Sequence, residues 1–318
     1  MQQAAPAPSA DRRTGYASLI TAVLGTSLAA LFYKLSFATG LHPLWVNLLR
    51  LCITLVLMAP GTLLRRGQRQ ALRAAGKRGF WLSALSGTLL AVHFTAWVLA
   101  LENTDVFAAS AIWGTYMLMT AGFSALFLKE KTSAGALVGM VIATIGVVVC
   151  NLDGGLGKLG GNLMALLAAA LQALYTLCGR KARETLETNT YTSIAYTFTC
   201  VWMGVFVWVL RIPATGFAAA NLLWALCLAV FCTLLGHTML NVALKYFKAP
   251  LVSAVLLITV VTGPLAVFVV LGDVPTLNTF LGGCIILIGL GWYLWMERRD
   301  AAAKAPAAAP AGGSGASR

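Results

Sequence analysis

The chain has 318 residues, 59% of them apolar and 10% charged, with a formal net charge of +13 and a mean hydropathy of +0.82. A soluble domain is about 45–50% apolar and about 25% charged, because a water-facing surface needs polar side chains. A soluble globular enzyme and a disordered chain are therefore excluded, and the long unbroken apolar runs exclude the alternating pattern of an outer-membrane barrel.

The chain begins with an Ala/Pro-rich stretch up to Ala10, turns polar, and shows no signal-peptide pattern. Residues 1–15 are expected to form a disordered cytoplasmic tail. A helix needs roughly 20 apolar residues to cross the hydrocarbon core. Runs of that length lie near 17–39, 44–64, 80–101, 105–128, 134–151, 159–178, 190–211, 221–243, 248–271 and 276–296. Backbone in lipid must satisfy its own hydrogen bonds, so each run is read as a helix. The expected fold is an all-α membrane protein of ten transmembrane helices. Gly40 and Pro43 close the first run, Gly154 and Gly155 the fifth, and Pro213 and Gly216 the seventh. Residues 298–318 are low-complexity and are expected to be a second disordered cytoplasmic tail.

Basic residues set the orientation. The termini and the connections between spans 2–3, 4–5, 6–7 and 8–9 hold 19 of the 23 Lys and Arg, whereas the opposite connections hold only Lys158 and Arg211. By the positive-inside rule both termini are expected in the cytoplasm, which independently calls for an even number of spans. The net charge thus has its origin in membrane orientation and not in a nucleic-acid surface. The basic 2–3 connection, residues 65–78, reads as an orientation signal that also meets anionic lipid. With no targeting peptide, the expected location is a bacterial inner membrane. The seven cysteines (Cys52, Cys150, Cys178, Cys200, Cys227, Cys232, Cys284) all lie in apolar stretches without a CxxC pattern or a His at metal spacing. They read as small core or lipid-facing residues, and no metal or cofactor is implied.

Shifting the chain by 143 residues lays Leu99–Gly146 over Val242–Gly289 without a gap. Ala100/Ala243, Leu101/Leu244, Ser110/Ser253, Ala111/Ala254, Leu128/Leu271, Gly139/Gly282 and Gly146/Gly289 match, and Glu130 falls on Asp273. The first repeat spans 16–151 and the second 159–297. Each contains five spans, and five is odd, so the copies must face opposite ways. Two inverted five-helix repeats are an architecture of secondary transporters, in which the halves exchange roles between two conformations of similar energy.

The segments HPLWVNLLR (42–50), HFTAWVLALENTDVFAAS (93–110), LFLKEK (126–131), LCGRKAR (177–183), LLGHTMLNVALKYFKAPLVSAV (234–255) and GPLAVFVVLGDVPTLNTFLGG (263–283) make residues 15–297 resemble the ten-span EamA branch of the drug/metabolite transporter superfamily. Two departures stand out. Asp273 replaces the usual Glu, and Ala121-Gly122 stands where a Pro is common, whereas Pro264 is kept in the second repeat. The resemblance implies a carrier of amino acids or related compounds, more often an exporter, with a site between the repeats. Gly122, Gly263 and Pro264 are the expected hinge points.

Ionisable groups inside a membrane are costly and usually functional. The candidates are Lys34, Arg50, His93 and His237; no Asp or Glu lies deep in a span, which disfavours cation/proton exchange through a buried carboxylate. Lys34 lies roughly 8 Å from the outer end of its span, and Arg50 is comparably shallow, at 1.5 Å per residue. Two readings stay open for both: snorkelling to the outer headgroups, or a cationic patch that attracts a carboxylate or phosphate. His93 sits mid-span, and His237 aligns with Phe94 in the repeat. Helix–helix glue and substrate contact or proton coupling are the alternatives. Phe32, Tyr33, Trp45, Phe94, Trp97, Trp113 and Tyr116 cluster in spans 1–4, joined by Gln172 and Tyr175 from span 6. Trp97, Trp113 and Tyr116 could stack on a flat or apolar substrate, or pack against lipid and core. Gly135 and Gly139 form a GxxxG pattern that reads as close packing, with a monomer expected and a dimer open.

Together these readings favour a secondary transporter of a small carboxylate-bearing metabolite. A nucleotide-sugar or phosphate-ester exchanger is the alternative, along with a lipid flippase. The absence of HExxH, GxSxG or a buried Asp pair speaks against an intramembrane enzyme.

Overall fold

The computed structural model describes residues 9–303 except 65, 130–131, 151, 153–158 and 275. The described residues are mostly helical and include no strand. Ten apolar helices follow one another: α1 (Arg13–Phe37), α2 (Pro43–Thr62), α3 (Lys77–Asn103), α4 (Ala108–Leu128), α5 (Ala134–Val149), α6 (Leu159–Ala182), α7 (Thr188–Val209), α8 (Ala219–Tyr246), α9 (Ala249–Leu271) and α10 (Phe280–Asp300). Among the described residues, nine have the length and apolarity to span a bilayer, and α5 is the short one. A basic helix, Arg66–Ala74, joins α2 to α3 and buries none of its residues. Large apolar side chains such as Leu24, Val56, Val138, Val201, Val269 and Ile288 are exposed around the bundle, as a lipid-facing belt requires.

Two tail expectations are corrected. The helix containing α1 begins at Ser9, and that containing α10 runs to Ala303, so residues 9–15 and 298–303 are helical. Three alanines, the best helix formers, follow Asp300. Residues 1–8 and 304–318 lie outside the described residues, as do Arg65, Glu130, Lys131 and Lys158 from the charge and repeat arguments.

Glycine packing shows how the repeats are related. A methyl group added at Gly139 would lie 2.7 Å from the Gly289 carbonyl oxygen, and one added at Gly146 would lie 2.7 Å from the Gly282 carbonyl oxygen. Residue numbers rise along α5 as they fall along α10, so the two helices run antiparallel. The 143-residue shift turns Gly139 into Gly282 and Gly146 into Gly289. It therefore converts one contact into the other, the signature of a two-fold relationship. Corresponding helices run in opposite directions, so the repeats are inverted.

Kinks obey the same symmetry. The Thr115 N–H donates to the Ile112 carbonyl at 3.0 Å, and the Ile258 N–H donates to the Val255 carbonyl at 3.2 Å. These two tight turns interrupt α4 and α9 and are the same bond in the two repeats. Threonine hydroxyls reinforce both: Thr115 Oγ1 donates to the Ile112 carbonyl at 2.8 Å and Thr259 Oγ1 to the Leu256 carbonyl at 2.7 Å. Such side-chain bonds to the preceding turn compete with regular helix. The expected hinge points do not coincide with these turns. Gly263 and Pro264 sit inside the helical segment Thr259–Leu271, and Gly122 lies within Tyr116–Phe123.

One feature breaks the symmetry. Helix α3 is continuous, whereas its counterpart α8 widens to π-helical turns over Leu228–Thr238. Thr233 Oγ1 and Thr238 Oγ1 each donate to the carbonyl five residues earlier, Leu228 and Thr233. The widened stretch lies directly on α1, where a methyl group at Gly25 would come within 2.4 Å of the Phe231 carbonyl oxygen. It contains His237.

Candidate functional site

A cavity of about 70 Å³ lies between the repeats. The first repeat contributes Ser27, Tyr33, Arg50, His93, Trp97, Ser110 and Trp113, and the second Gln172, Cys232, His237, Leu240, Leu256, Thr259 and Gly263. Helices α5, α7 and α10 supply none of the lining; α5 and α10 brace each other instead.

Arg50 does not snorkel. It is 1% exposed and points inward, which settles that alternative against the lipid headgroups. Its Nε donates to Thr233 Oγ1 at 2.6 Å and its Nη1 to the Tyr33 hydroxyl at 2.8 Å; Tyr33 in turn donates to Asn47 Oδ1. Its guanidinium carbon lies 4.2 Å from the centre of the Phe94 ring, a cation–π contact. Every partner is neutral. Among the described residues no carboxylate pairs with Arg50 and no acceptor engages its Nη2. A buried charge without a counter-ion is strongly disfavoured.

Lys34 is placed differently. It forms an ion pair with Asp273 at the end of α9 and does not line the cavity. The pair bridges the two repeats on the face carrying the α1–α2 and α9–α10 connections.

The two histidines meet, with ring centres 6.3 Å apart. His93 Nδ1 lies 2.8 Å from the Ala168 carbonyl oxygen; a carbonyl can only accept, so Nδ1 carries the proton and Nε2 is left as an acceptor. His237 Nδ1 and Gln172 Oε1 are buried without a partner among the described residues. The Trp97 and Trp113 rings are 6.1 Å apart, and Tyr116 stacks behind Trp113 at 4.6 Å. Tyr116 and Tyr175 support the wall without lining it; the Tyr175 ring lies 5.9 Å from that of His237. The cavity thus assembles six of the nine residues that the sequence singles out as substrate contacts: Arg50, His93, Trp97, Trp113, Gln172 and His237. Asn47 and Thr233 are not singled out by the sequence, because an Asn or Thr in an apolar span carries no signal of which helix it faces. No group of three or more His, Cys, Asp or Glu side chains among the described residues is placed to hold a metal ion.

The chain is 26% identical over 215 residues to an uncharacterized transporter of Clostridium kluyveri, covering 65% of this chain and 69% of that one. It is 27% identical over 177 residues to an uncharacterized transporter of Archaeoglobus fulgidus, covering 55% and 62%. A solved crystal structure shares the fold with a TM-score of 0.73 at 18% identity, over 92% of this chain and 99% of that one. The model of the EamA-like transporter family matches residues 13–152 and 159–295, one match for each inverted repeat. By sequence and by architecture alike, this multi-pass membrane protein belongs to the EamA-like transporter family of the drug/metabolite transporter superfamily.

Proposed function

We propose that the protein carries a small carboxylate-bearing metabolite, an amino acid first among the candidates, by alternating access between its two repeats. The observation that carries this reading is Arg50, buried on the cavity wall without a counter-ion. A substrate carboxylate would meet its Nη2 in a low-dielectric site, where a charge-assisted hydrogen bond is strong. Gln172 Oε1 would accept from the ammonium group of the same substrate. The Trp97–Trp113 corner offers ring faces to its side chain. The cavity has room for only a handful of waters, so loading requires the halves to part. The Lys34–Asp273 pair would hold them together on the outer face. In this reading the termini are cytoplasmic, the membrane is a bacterial inner membrane, the direction is export, and the monomer suffices as a carrier without catalytic chemistry.

The test is a substrate panel in proteoliposomes, setting amino acids against phosphate esters, nucleotide sugars and quaternary amines. Amino-acid flux that falls at least about tenfold in Arg50→Gln, the scale of one lost charge-assisted bond, supports the reading. Selective flux of phosphate esters would replace the carboxylate with a phosphate, and selective flux of quaternary amines would overturn the anion reading.

A further inference from the structure

The geometry points to a second anion-binding site at the opposite end of the bundle, where a soluble carboxylate or phosphate group is held by Arg183 in a pocket between the end of α6, the start of α7 and the end of α8. The site stands on its own geometry; its role as the substrate's entry station from the basic face rests on the transport reading above.

The pocket measures about 430 Å³ and is lined by Arg180, Arg183, Glu184, Glu187, Leu244 and Lys245 among others. Three cations face two carboxylates, and Glu184 is engaged by Lys181 at 2.7 Å, so the balance is positive. Arg180 Nη1 donates to the Leu244 carbonyl at 2.6 Å and so ties α6 to α8 across the pocket. Arg183 is held from behind. Its Nη1 donates to Asn241 Oδ1, and its guanidinium carbon lies 5.0 Å from the centre of the Tyr191 ring. Its Nε and Nη2 are buried and have no partner among the described residues. These two nitrogens form the side-on fork of a guanidinium, the pair that grips a carboxylate or phosphate bidentately. A purely structural arginine in this position would have both donors satisfied by carbonyls or a carboxylate. Burial pulls the Arg183 guanidinium down to about 10, which still leaves it cationic at neutral pH.

The pocket is also connected to the central cavity. Asn241, which holds Arg183, donates through Nδ2 to the Tyr175 hydroxyl at 2.5 Å, and Tyr175 packs against His237 on the cavity wall. Tyr191 closes the same layer, its hydroxyl 2.6 Å from Ser86 Oγ. A single stratum of Tyr175, Tyr191 and Asn241 therefore separates two arginine sites, Arg183 on one side and Arg50 on the other. Each arginine rests on an aromatic face, is fixed by neutral partners, and keeps free donors.

The experiment uses the full-length protein in neutral detergent, with unfolding followed by tryptophan fluorescence. Sodium phosphate and sodium acetate are titrated against sodium chloride at constant ionic strength, in wild type and in Arg50→Gln, where the central site is silent. The expected result is a saturable rise of a few degrees in the unfolding temperature that survives Arg50→Gln and is lost when Arg183→Gln is added. Arg180→Gln with Lys245→Gln, on the more accessible rim, guards against misfolding of the Arg183 variant; it should weaken the apparent phosphate affinity at least about tenfold. No rise in wild type, a rise unchanged by both sets of variants, or a rise given by phosphatidylglycerol and by neither soluble anion would overturn the proposal. Loss of amino-acid flux with this response intact would overturn the transport reading instead.

Discussion

Phe94 and His237 occupy the same place in the two repeats, and they touch: their ring centres are 5.1 Å apart at an interplanar angle of 83°. Gly114 and Leu257 are a second equivalent pair in contact, since a methyl group at Gly114 would lie 2.9 Å from Leu257 Cδ1. Residues related by a two-fold meet only where the axis passes, so the axis runs through the cavity wall. The cavity is nonetheless chemically lopsided. Trp97, Trp113 and Tyr116 of the first repeat correspond to Leu240, Leu256 and Thr259 of the second. On the transport reading proposed above, a symmetric frame would let the halves exchange conformations, while the unequal walls would give the substrate one orientation within it.

That asymmetry is testable through Trp113. Replacing it with Leu makes its position match Leu256, while removing a ring that stacks on Tyr116 and closes the cavity. An aromatic contact is worth about 0.5–1.5 kcal/mol beyond area burial, so the KM for an amino acid with an apolar side chain should rise by up to about tenfold. Trp81→Leu, at a lipid-exposed position, is the control and should leave KM unchanged. Equal KM in both variants would remove Trp113 from the site.

The scaffold prediction concerns α5 and α10. Gly139→Leu and Gly146→Leu drive a side chain into opposing backbone, which cannot yield as a flexible side chain can. Overpacking of this kind costs about 1–3 kcal/mol or more, and the unfolding temperature in detergent should fall clearly. Gly204→Leu, with nothing within 4 Å of an added methyl group, should not change it. Because α5 and α10 supply no cavity residue, the Gly139 variant should retain its KM in whatever fraction remains folded.

The repeat was legible in the sequence because close helix packing demands small residues, and Gly139/Gly282 and Gly146/Gly289 fall in register. Arg50 was legible as an ionisable group inside a span, but not its rotation, nor its place against Phe94 beside His93. That is set by Tyr33 on α1 and Thr233 on α8, 17 and 183 residues away in the chain. A helix hydrophobic on nearly every face offers no periodicity to say which side meets protein and which meets lipid. The kinks at Thr115 and Ile258 escaped for a related reason. Gly122, Gly263 and Pro264 are the louder helix-breaking signals, but Pro264 is accommodated within its helix, and the turn tightens instead where threonine hydroxyls bond the preceding carbonyls.

Lys34 and Asp273 supply a prediction about conformation. Both side chains are part-exposed, 33% and 41%, so the pair adds little to fold stability, at most about 1 kcal/mol. Its effect should fall on the balance between the two conformations of the carrier, because it joins the first repeat to the second. Lys34→Gln and Asp273→Asn should each increase labelling of a cysteine introduced at Ser27 by a reagent added on the outer face, with little change in unfolding temperature. The exchange Lys34→Asp with Asp273→Lys should restore protection. Labelling that ignores all three variants would show that the pair does not close the outer face.

Cys52 and Cys200 give a way to arrest the exchange. Their sulfur atoms are 3.6 Å apart, one on α2 and one on α7, the corresponding helices of the two repeats. A disulfide requires about 2.05 Å between sulfurs, a change that side-chain rotation and a small helix shift can supply. Mild oxidation with copper phenanthroline removes one electron from each thiolate and joins the repeats covalently. If α2 and α7 move against each other during transport, flux should stop on oxidation and return with dithiothreitol. Cys52→Ser should transport normally and resist arrest. Cross-linking without loss of flux would mean that these two helices travel together, and that the movement lies in α4 and α9, where the paired kinks are.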